Sequence, residues 1–412
     1  MLPEEIERLA SDEVQEYIFI HADEDEKKLL LKHKFILDLL SVLIAQQIAA
    51  RKKAETKLPL FYKTKGIVYP PSLNLEQSSS EATAKFKSEI IRKEIGKKLG
   101  GADLTGGFGI DSFFLSQAVE QFDYVEKDVE LWNVARHNHL LLKTKISHHN
   151  KSAERFLAES TAHYDFIFID PSRRDSKARK VFSLSDCTPD VTLLLPILLE
   201  RADFILLKAS PLLDIKQGLR ELAGIKKVIV LSVANECKEV LFLIQKDFVG
   251  EPLVETYNLD VEGKIKHSFH FYSSDEGKVF SKFNGPLKFL YEPNASILKS
   301  GAFKTVGEKF GLTKIHPNTH LYTSNDFLKE FPGRIFEVEQ LSFAAKSLPE
   351  KKANVITRNY PLSPEELKKK LKLNDGGEKF VIAFSGLKKK YIVLARRHTN
   401  RHNQQVHTLK FL

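Results

Sequence analysis

Apolar residues recur at three- and four-residue spacing through KKLLLKHKFILDLLSVLIAQQIAARKKAE, a stretch without glycine or proline, and this period predicts helices over residues 1 to about 57. There the period breaks. FYKTKGIVYPPSLNLEQSSSEAT carries a Pro-Pro pair and a serine cluster, so an extended or looped connection is expected ahead of a helix at 82–99. Beyond it the pattern changes to short apolar runs: GADLT, FDYVEKD, KISHHN, YDFIFID, ADFILLK, KKVIVLSVA and KEVLFLIQK. The first five are separated by segments long enough to hold helices, the signature of a parallel α/β sheet. Only NEC separates the last two, 226–234 and 238–246, which is too short for a crossover and requires an antiparallel hairpin. From about 250 to 326 the chain has short strands with more glycine and proline. GRIFEVEQ, ANVITRNYP, SPEELKKKLKL, EKFVIAFSG and KKKYIVLARR then predict strand, strand, helix, strand, strand, with Ser363 and Glu366 forming a capping box.

Composition narrows the class. A chain of 412 residues exceeds the size at which single cores usually split, so about two to four domains are expected. Hydrophobic residues at 42% and charged residues at 28% are soluble-globular values, and no apolar run approaches the ~18 residues that cross a bilayer. A membrane protein is excluded on that count. The opening MLPEEIERLASDEVQEYIFIHADEDE is acidic and shows no secretory signal, and Cys187 and Cys237 are too few for a disulfide framework or clustered zinc site; a cytoplasmic location is expected. A net charge of +9 favours a polyanionic partner.

DLTGGFGIDSFFLS, residues 103–116, places three glycines in four positions after an acidic residue. Missing Cβ atoms suit a backbone that turns sharply or lies against a ligand. A dinucleotide fingerprint would need G-x-G-x-x-G, but reading from Gly107 puts Ser112 in the third glycine position. DLTGGFG instead resembles the D/E-x-x-x-G-x-G loop of class I methyltransferases, and the hairpin agrees, since that fold has an antiparallel seventh strand in a parallel sheet. A purely structural turn is the alternative. The resemblance implies S-adenosylmethionine as cofactor. It places Asp103 at the end of strand one, with Thr105, Gly106, Gly107 and Gly109 beside the methionine moiety and a helix at 110–119 facing its carboxylate. Glu126, ending strand two twenty residues beyond Gly106, would accept both ribose hydroxyls, with Lys127 next to it. NKSAERFL resembles the stretch that holds the adenine, which nominates Ser152 and Ala153, with Glu154 beside them. Gln77 and Ser79 would cover the cofactor, although helix capping also explains the serines.

YDFIFIDPSRRD ends strand four with Asp170-Pro171, the position from which class I enzymes address the acceptor. Base-amine methyltransferases carry D/N-P-P-Y/F/W here; this chain has Ser172 for the second proline and Arg173 for the aromatic. Asp170 would orient or deprotonate the acceptor. Arg173 and Arg174 would hold a phosphate or carboxylate, or else solvate a loop. Lys208 and Glu236 are expected at the cleft edge, as contributors or as a structural ion pair. His137, His139, His148 and His149 form no metal set and read as surface or helix-flank residues.

DLTGGFGID, IDPSRRD, LLKASPLLD and VITRNYPLSPEELKKKL…YIVLARR together resemble a bacterial group of class I methyltransferase proteins that carry a ferredoxin-like and a THUMP-like C-terminal domain, over most of the chain after about residue 60. The implied fold is a Rossmann-like, mostly parallel sheet with small α+β domains: a helical region at 1–80, a methyltransferase domain at 81–250, a ferredoxin-like domain at 251–328 and a THUMP-like domain at 329–412. By analogy with true THUMP domains, the substrate is RNA. Lys388, Lys389, Lys390, Arg396 and Arg397, with the tail HTNRHNQQVH, would contact phosphates or merely solvate the domain. The expectation is an S-adenosylmethionine-dependent RNA methyltransferase. Its alternatives are a small-molecule or protein methyltransferase and a non-catalytic RNA-binding protein.

Overall fold

The computed structural model describes residues 1–96, 98–173, 183–343 and 351–398, with the side chains of all but Lys98 and Arg173. The chain forms two units, Met1–Pro252 with Leu259–Lys266, and Leu253–Asn258 with His267–Leu412.

The first unit opens with helices α1 (Pro3–Ala10), α2 (Asp12–Ile20), α3 (Glu26–Lys32) and α4 (Ser41–Lys57). The helical period through 27–57 is interrupted, against expectation: Phe35–Ile36 and Leu39–Leu40 form a short hairpin with Leu37 and Asp38 at φ 48° and 64°. Ile36 and Leu39 are buried at 7% and 6% exposure, and their three-residue spacing suits a helix face as well as this reversal. The segment expected to loop contains α5 (Pro59–Lys63), opened by proline at its first position, and α6 (Ser72–Gln77). Between these helices, extended backbone finds its partners in side chains. Gln47 exchanges bonds with Tyr69 N and O, both at 2.8 Å, and Asn138 with Val68 N and O at 3.0 and 2.8 Å.

Ser80 caps α7 (Glu81–Ile95), which ends at Gly96 with φ 68° rather than running to residue 99. From Lys98 the chain belongs to the sheet: β1 (Lys98–Asp103) pairs in parallel with β2 (Val119–Val125) and β4 (Tyr164–Ile169). With β3 (Ile146–His149), β5 (Ala202–Ala209), β6 (Ile225–Val233) and β7 (Glu236–Gln245), the order is β6-β7-β5-β4-β1-β2-β3. β7 is antiparallel to both neighbours, joined to β6 through Ala234 and Asn235 at φ 49° and 67°, the paired left-handed conformation of a tight hairpin turn. The glycine loop leads into α8 (Ile110–Leu115), shorter than expected because a 3₁₀ turn, Ser116–Ala118, feeds β2 directly. The loop and α8 pack on the helical region, where the Phe61 ring meets Phe108 and Phe113 at 6.0 and 5.6 Å. α9 (Val129–Leu141), α10 (Ala153–Glu159), α11 (Val191–Arg201) and α12 (Ile215–Glu221) complete the alternation. No helix among the described residues is long and apolar enough to cross a membrane.

Strands β8 (Leu253–Leu259) and β9 (Ile265–Tyr272) lie where the chain divides between the units, and α13 (Ser273–Lys278) follows. The second unit contains β10 (Phe289–Pro293), α14 (Ala295–Ser300), α15 (Thr305–Lys309), β11 (Thr313–His316), β12 (Thr319–Ser324), β13 (Gly333–Gln340), β14 (Asn354–Arg358), α16 (Pro364–Leu371), β15 (Lys379–Ser385) and β16 (Lys390–Arg397). The last five reproduce the predicted order, and Ser363 and Glu366 form the capping box. One sheet, β11-β12-β10-β13-β16-β15-β14, joins the strands from Phe289 to Arg397.

Candidate functional site

The three loop glycines have three different physical reasons. A Cβ on Gly106 would stand 2.1 Å from the Tyr124 ring, and one on Gly109, at φ +82°, would stand 2.7 Å from the His139 ring. Both contacts are with the chain's own side chains. Gly107 differs: its φ of +54° excludes ordinary side chains, yet its Cβ direction is open, with only Thr105 O at 3.9 Å. Asp103, 1% exposed, ties the loop from inside, accepting from Thr105 N at 2.9 Å and from Ser112 Oγ at 2.5 Å. Burial pushes its carboxyl up to about 7, with Ser112 and Thr105 opposing and Asp111 and Asp170 adding to the rise.

His139 corrects the expectation of a surface or helix-flank residue: it lies in the last turn of α9 and is buried. It is 1% exposed and fills the space that Gly109 leaves. Its Nε2 donates to Gly109 O at 2.9 Å, because a carbonyl only accepts, so the neutral ring must accept at Nδ1 from His148 Nε2, also at 2.9 Å. Burial pushes His139 down to about 3 and His148 down to about 4. A ¹⁵N imidazole spectrum is therefore expected to show both rings uncharged, with His139 as the Nε2–H tautomer, from pH 8 down to 5. Protonation of either ring at pH 6 would contradict this arrangement.

Glu126, at the end of β2, is buried at 9% exposure and accepts from Gly107 N at 2.8 Å through Oε2 and from Asp128 N at 2.7 Å through Oε1. Each oxygen retains a lone pair. Asn150, which sequence reasoning missed, secures this corner by donating from Nδ2 to Glu126 O at 2.9 Å and Lys127 O at 3.3 Å. Lys127 is exposed; Ser152 caps α10 by accepting from Arg155 N at 3.3 Å, and Ala153 is buried at its start. Gln77 is exposed at the end of α6.

Asp170, following β4, donates its amide to Thr105 Oγ1 at 2.6 Å, so the Asp-Pro turn and the glycine loop meet. Thr105, Gly107, Asp170 and Pro171 are all half-buried, while Asp103, Leu104, Gly106 and Phe108 around them are buried. The Arg173 side chain and Arg174 lie outside the described residues. Lys208, at the end of β5, is paired with Asp170 Oδ2 at 2.6 Å and with Asp111 at 3.7 Å. Beyond it lies a charge network sequence reasoning did not find. Lys87 Nζ, fully buried on α7, reaches Glu239 at 2.6 Å and Asp111 at 3.1 Å, and both lysines donate to Ser79 Oγ at 3.1 Å. Ser79 in turn donates to Asp111 Oδ2 at 2.7 Å. Burial works against the Lys208 charge, but Asp170, Asp111 and Glu239 outweigh it and hold this lysine above its ordinary range as an ammonium. Burial raises Asp170, with Lys208 pulling the other way.

The hairpin acid beside the site is Glu239; Glu236 projects into solvent and pairs with Lys238 at 2.8 Å. A signal existed for each missed residue. Glu239 opens the buried run of β7, and Lys87 stands three residues from Ala84 and four from Ile91, on the apolar face of α7. Among the described residues, no group of three or more His, Cys, Asp or Glu side chains is placed to hold a metal ion.

Residues 289–332 match the family of ferredoxin-like domains and residues 333–397 the family of THUMP-like domains. The whole chain is similar to a protein of Porphyromonas gingivalis W83 named as a proposed methyltransferase: 32% identity and TM-score 0.84, covering 96% of this chain and 99% of that one. Two further solved structures align less extensively. One, from Listeria monocytogenes and named as a proposed class I S-adenosylmethionine-dependent methyltransferase, has 14% identity and TM-score 0.39, over 60% of this chain and 94% of that one. The other, a proposed methyltransferase from Streptococcus mutans in complex with SAH, has 15% identity and TM-score 0.31, over 39% and 95%. No curated protein matches the sequence.

Proposed function

The chain belongs to the family of class I S-adenosylmethionine-dependent methyltransferase proteins with ferredoxin-like and THUMP-like C-terminal domains, and we propose that it methylates RNA at the opening where the glycine loop meets Asp170. The observation that carries this reading is the Asp170 N to Thr105 Oγ1 bond, which brings the cofactor end and the acceptor end of one sheet edge together. S-adenosylmethionine supplies a methyl group already activated on a sulfonium. The residues fit this cofactor, because Gly107 leaves an open face and the Glu126 carboxylate beside it has lone pairs to spare. Thr105, Gly106, Gly107, Gly109, Glu126, Lys127, Ser152 and Ala153 would hold it, with Asp103 shaping the loop and Gln77 at the rim.

Calorimetry with S-adenosylmethionine tests the cofactor. Wild type is expected to bind, and Gly107→Val with Glu126→Ala to bind at least roughly 10²-fold more weakly, since a strained loop and two lost charge-assisted bonds act together. Undetectable binding by wild type would remove the cofactor assignment.

RNA is supported by the net charge of +9 and the THUMP-like domain. Arg334 and Arg358 are spent on buried Glu292, each Nε at 2.6 Å, which leaves exposed Lys388 and Lys389 in the turn after β15, with Lys390 opening β16, as the better candidates for phosphate. Arg396 stands 3.7 Å from Glu339, and Arg397 is exposed on the same strand. Log affinity for single-stranded RNA should fall linearly with log salt at about −0.7 per phosphate contacted, and Lys388→Glu with Lys389→Glu and Lys390→Glu should make that slope shallower by about 2. A gel-shift titration at several salt concentrations measures both. An unchanged slope would take these lysines out of the interface.

A further inference from the structure

Among the described residues, the charged side chains at the acceptor end are one carboxylate, Asp170, and one ammonium, Lys208. A base amine needs the reverse, two acceptors for its N–H groups and an aromatic surface on which the ring stacks. Here Asp170 Oδ2 already accepts from Lys208 at 2.6 Å, so the carboxylate faces a cation, and the ammonium itself has donors only. Ser172, where the base-amine pattern has its second proline, is exposed and donates to Thr188 O at 3.3 Å. Lys208 is also fixed: Ser79 and Asp111 hold it from the buried side, and the Lys87–Glu239 pair at 2.6 Å completes that wall. A cation held rigidly beside a half-buried carboxylate suits an acceptor whose oxygen becomes negative as it reacts.

Resting on the RNA methyltransferase reading, we infer that the methyl acceptor is a ribose hydroxyl of RNA, with Asp170 taking its proton and Lys208 stabilising the oxygen. The hydroxyl O–H bond breaks and its proton passes to the Asp170 carboxylate. The oxygen's electron pair forms the new O–CH₃ bond while the S–CH₃ pair returns to sulfur, leaving a neutral thioether; Asp170 then gives its proton to water. Burial raises the Asp170 carboxyl above its ordinary value, with Lys208 pulling the other way, and a raised carboxylate is the stronger base. The 2′-hydroxyl is also the group that distinguishes RNA from DNA.

The full-length protein, total RNA from cells lacking it and S-[methyl-³H]adenosylmethionine provide the test, with digestion to nucleosides and mass spectrometry. A 2′-O-methylnucleoside, recovered as an alkali-resistant dinucleotide, is expected. A methylated base would overturn the hydroxyl acceptor and leave the RNA reading standing; label confined to protein or a small molecule, or no label at all, would overturn both. Lys208→Met should lower kcat by roughly 10²-fold and shift the acid limb of the pH profile upward, while Lys208→Arg restores part of each. In the ligand-free protein, ¹³C-carboxylate NMR should show the Asp170 pKa rising in Lys208→Met. An unmoved acid limb and an unmoved Asp170 titration would reduce Lys208 to a structural residue.

Discussion

Lys87→Met is expected to remove roughly 3–5 kcal/mol of stability, because it leaves Glu239 charged and buried without its ion-pair partner and Asp111 with Lys208 alone, at 3.7 Å. Lys87 is fully buried, Glu239 4% exposed and Asp111 8% exposed, so water cannot replace the ammonium. Methionine matches the length of the lysine stem, which keeps the packing cost small and isolates the charge. Lys87→Met with Glu239→Leu should recover much of the loss, since both members of the closer pair become apolar while Lys208 stays beside Asp111. The chain's single tryptophan, Trp132 on α9, reports on this unit during chemical denaturation, which matters in a two-unit chain that need not unfold in one step. A Lys87→Met loss below about 1 kcal/mol, or a double variant no more stable than the single, would mean that the network is solvated.

Asp170→Asn is expected to reduce kcat by roughly 10²–10⁴-fold while leaving the affinity for S-adenosylmethionine within about threefold. The Asp170 side chain faces Lys208, whereas its link to the glycine loop is the backbone amide bond to Thr105 Oγ1, which the substitution preserves. Asparagine keeps the shape and removes the base. Single-turnover kinetics and calorimetry on the same preparation separate the two properties. A parallel fall in cofactor affinity would move Asp170 from the acceptor to the cofactor.

The small domains set limits on how the RNA contact is tested. Family matches divide the second unit at 332/333, but β10 pairs with β13 from Phe289↔Glu337 to Pro293↔Gly333, across that boundary. Deleting the THUMP-like part would expose an edge of β10 with unpaired backbone groups, a template for aggregation. Charge substitution at Lys388, Lys389 and Lys390 avoids this. It alters side chains in the turn and at the first position of β16, and leaves the backbone pairing of β15 with β16 in place.

What the sequence determined by itself was the arrangement of elements whose causes are local. Alternating apolar runs with helix-length spacers required a parallel sheet, three residues between two such runs required β6 and β7 to be a hairpin, and Ser363 with Glu366 marked the start of α16. The glycine cluster marked the loop, and Asp170-Pro171 the end of β4. Tertiary structure decided everything that depends on partners far apart in the chain. Gly106 and Gly109 are small because Tyr124 and His139 fill the space beside them, and α3 breaks before α4 because a reversal buries Ile36 and Leu39. The network joining Ser79, Lys87, Asp111, Lys208 and Glu239 spans sequence separations of up to 160 residues. Periodicity shows which side chains face inward, but a charge can remain inside only where an opposite charge meets it, and that meeting is made by the order of strands in the folded sheet.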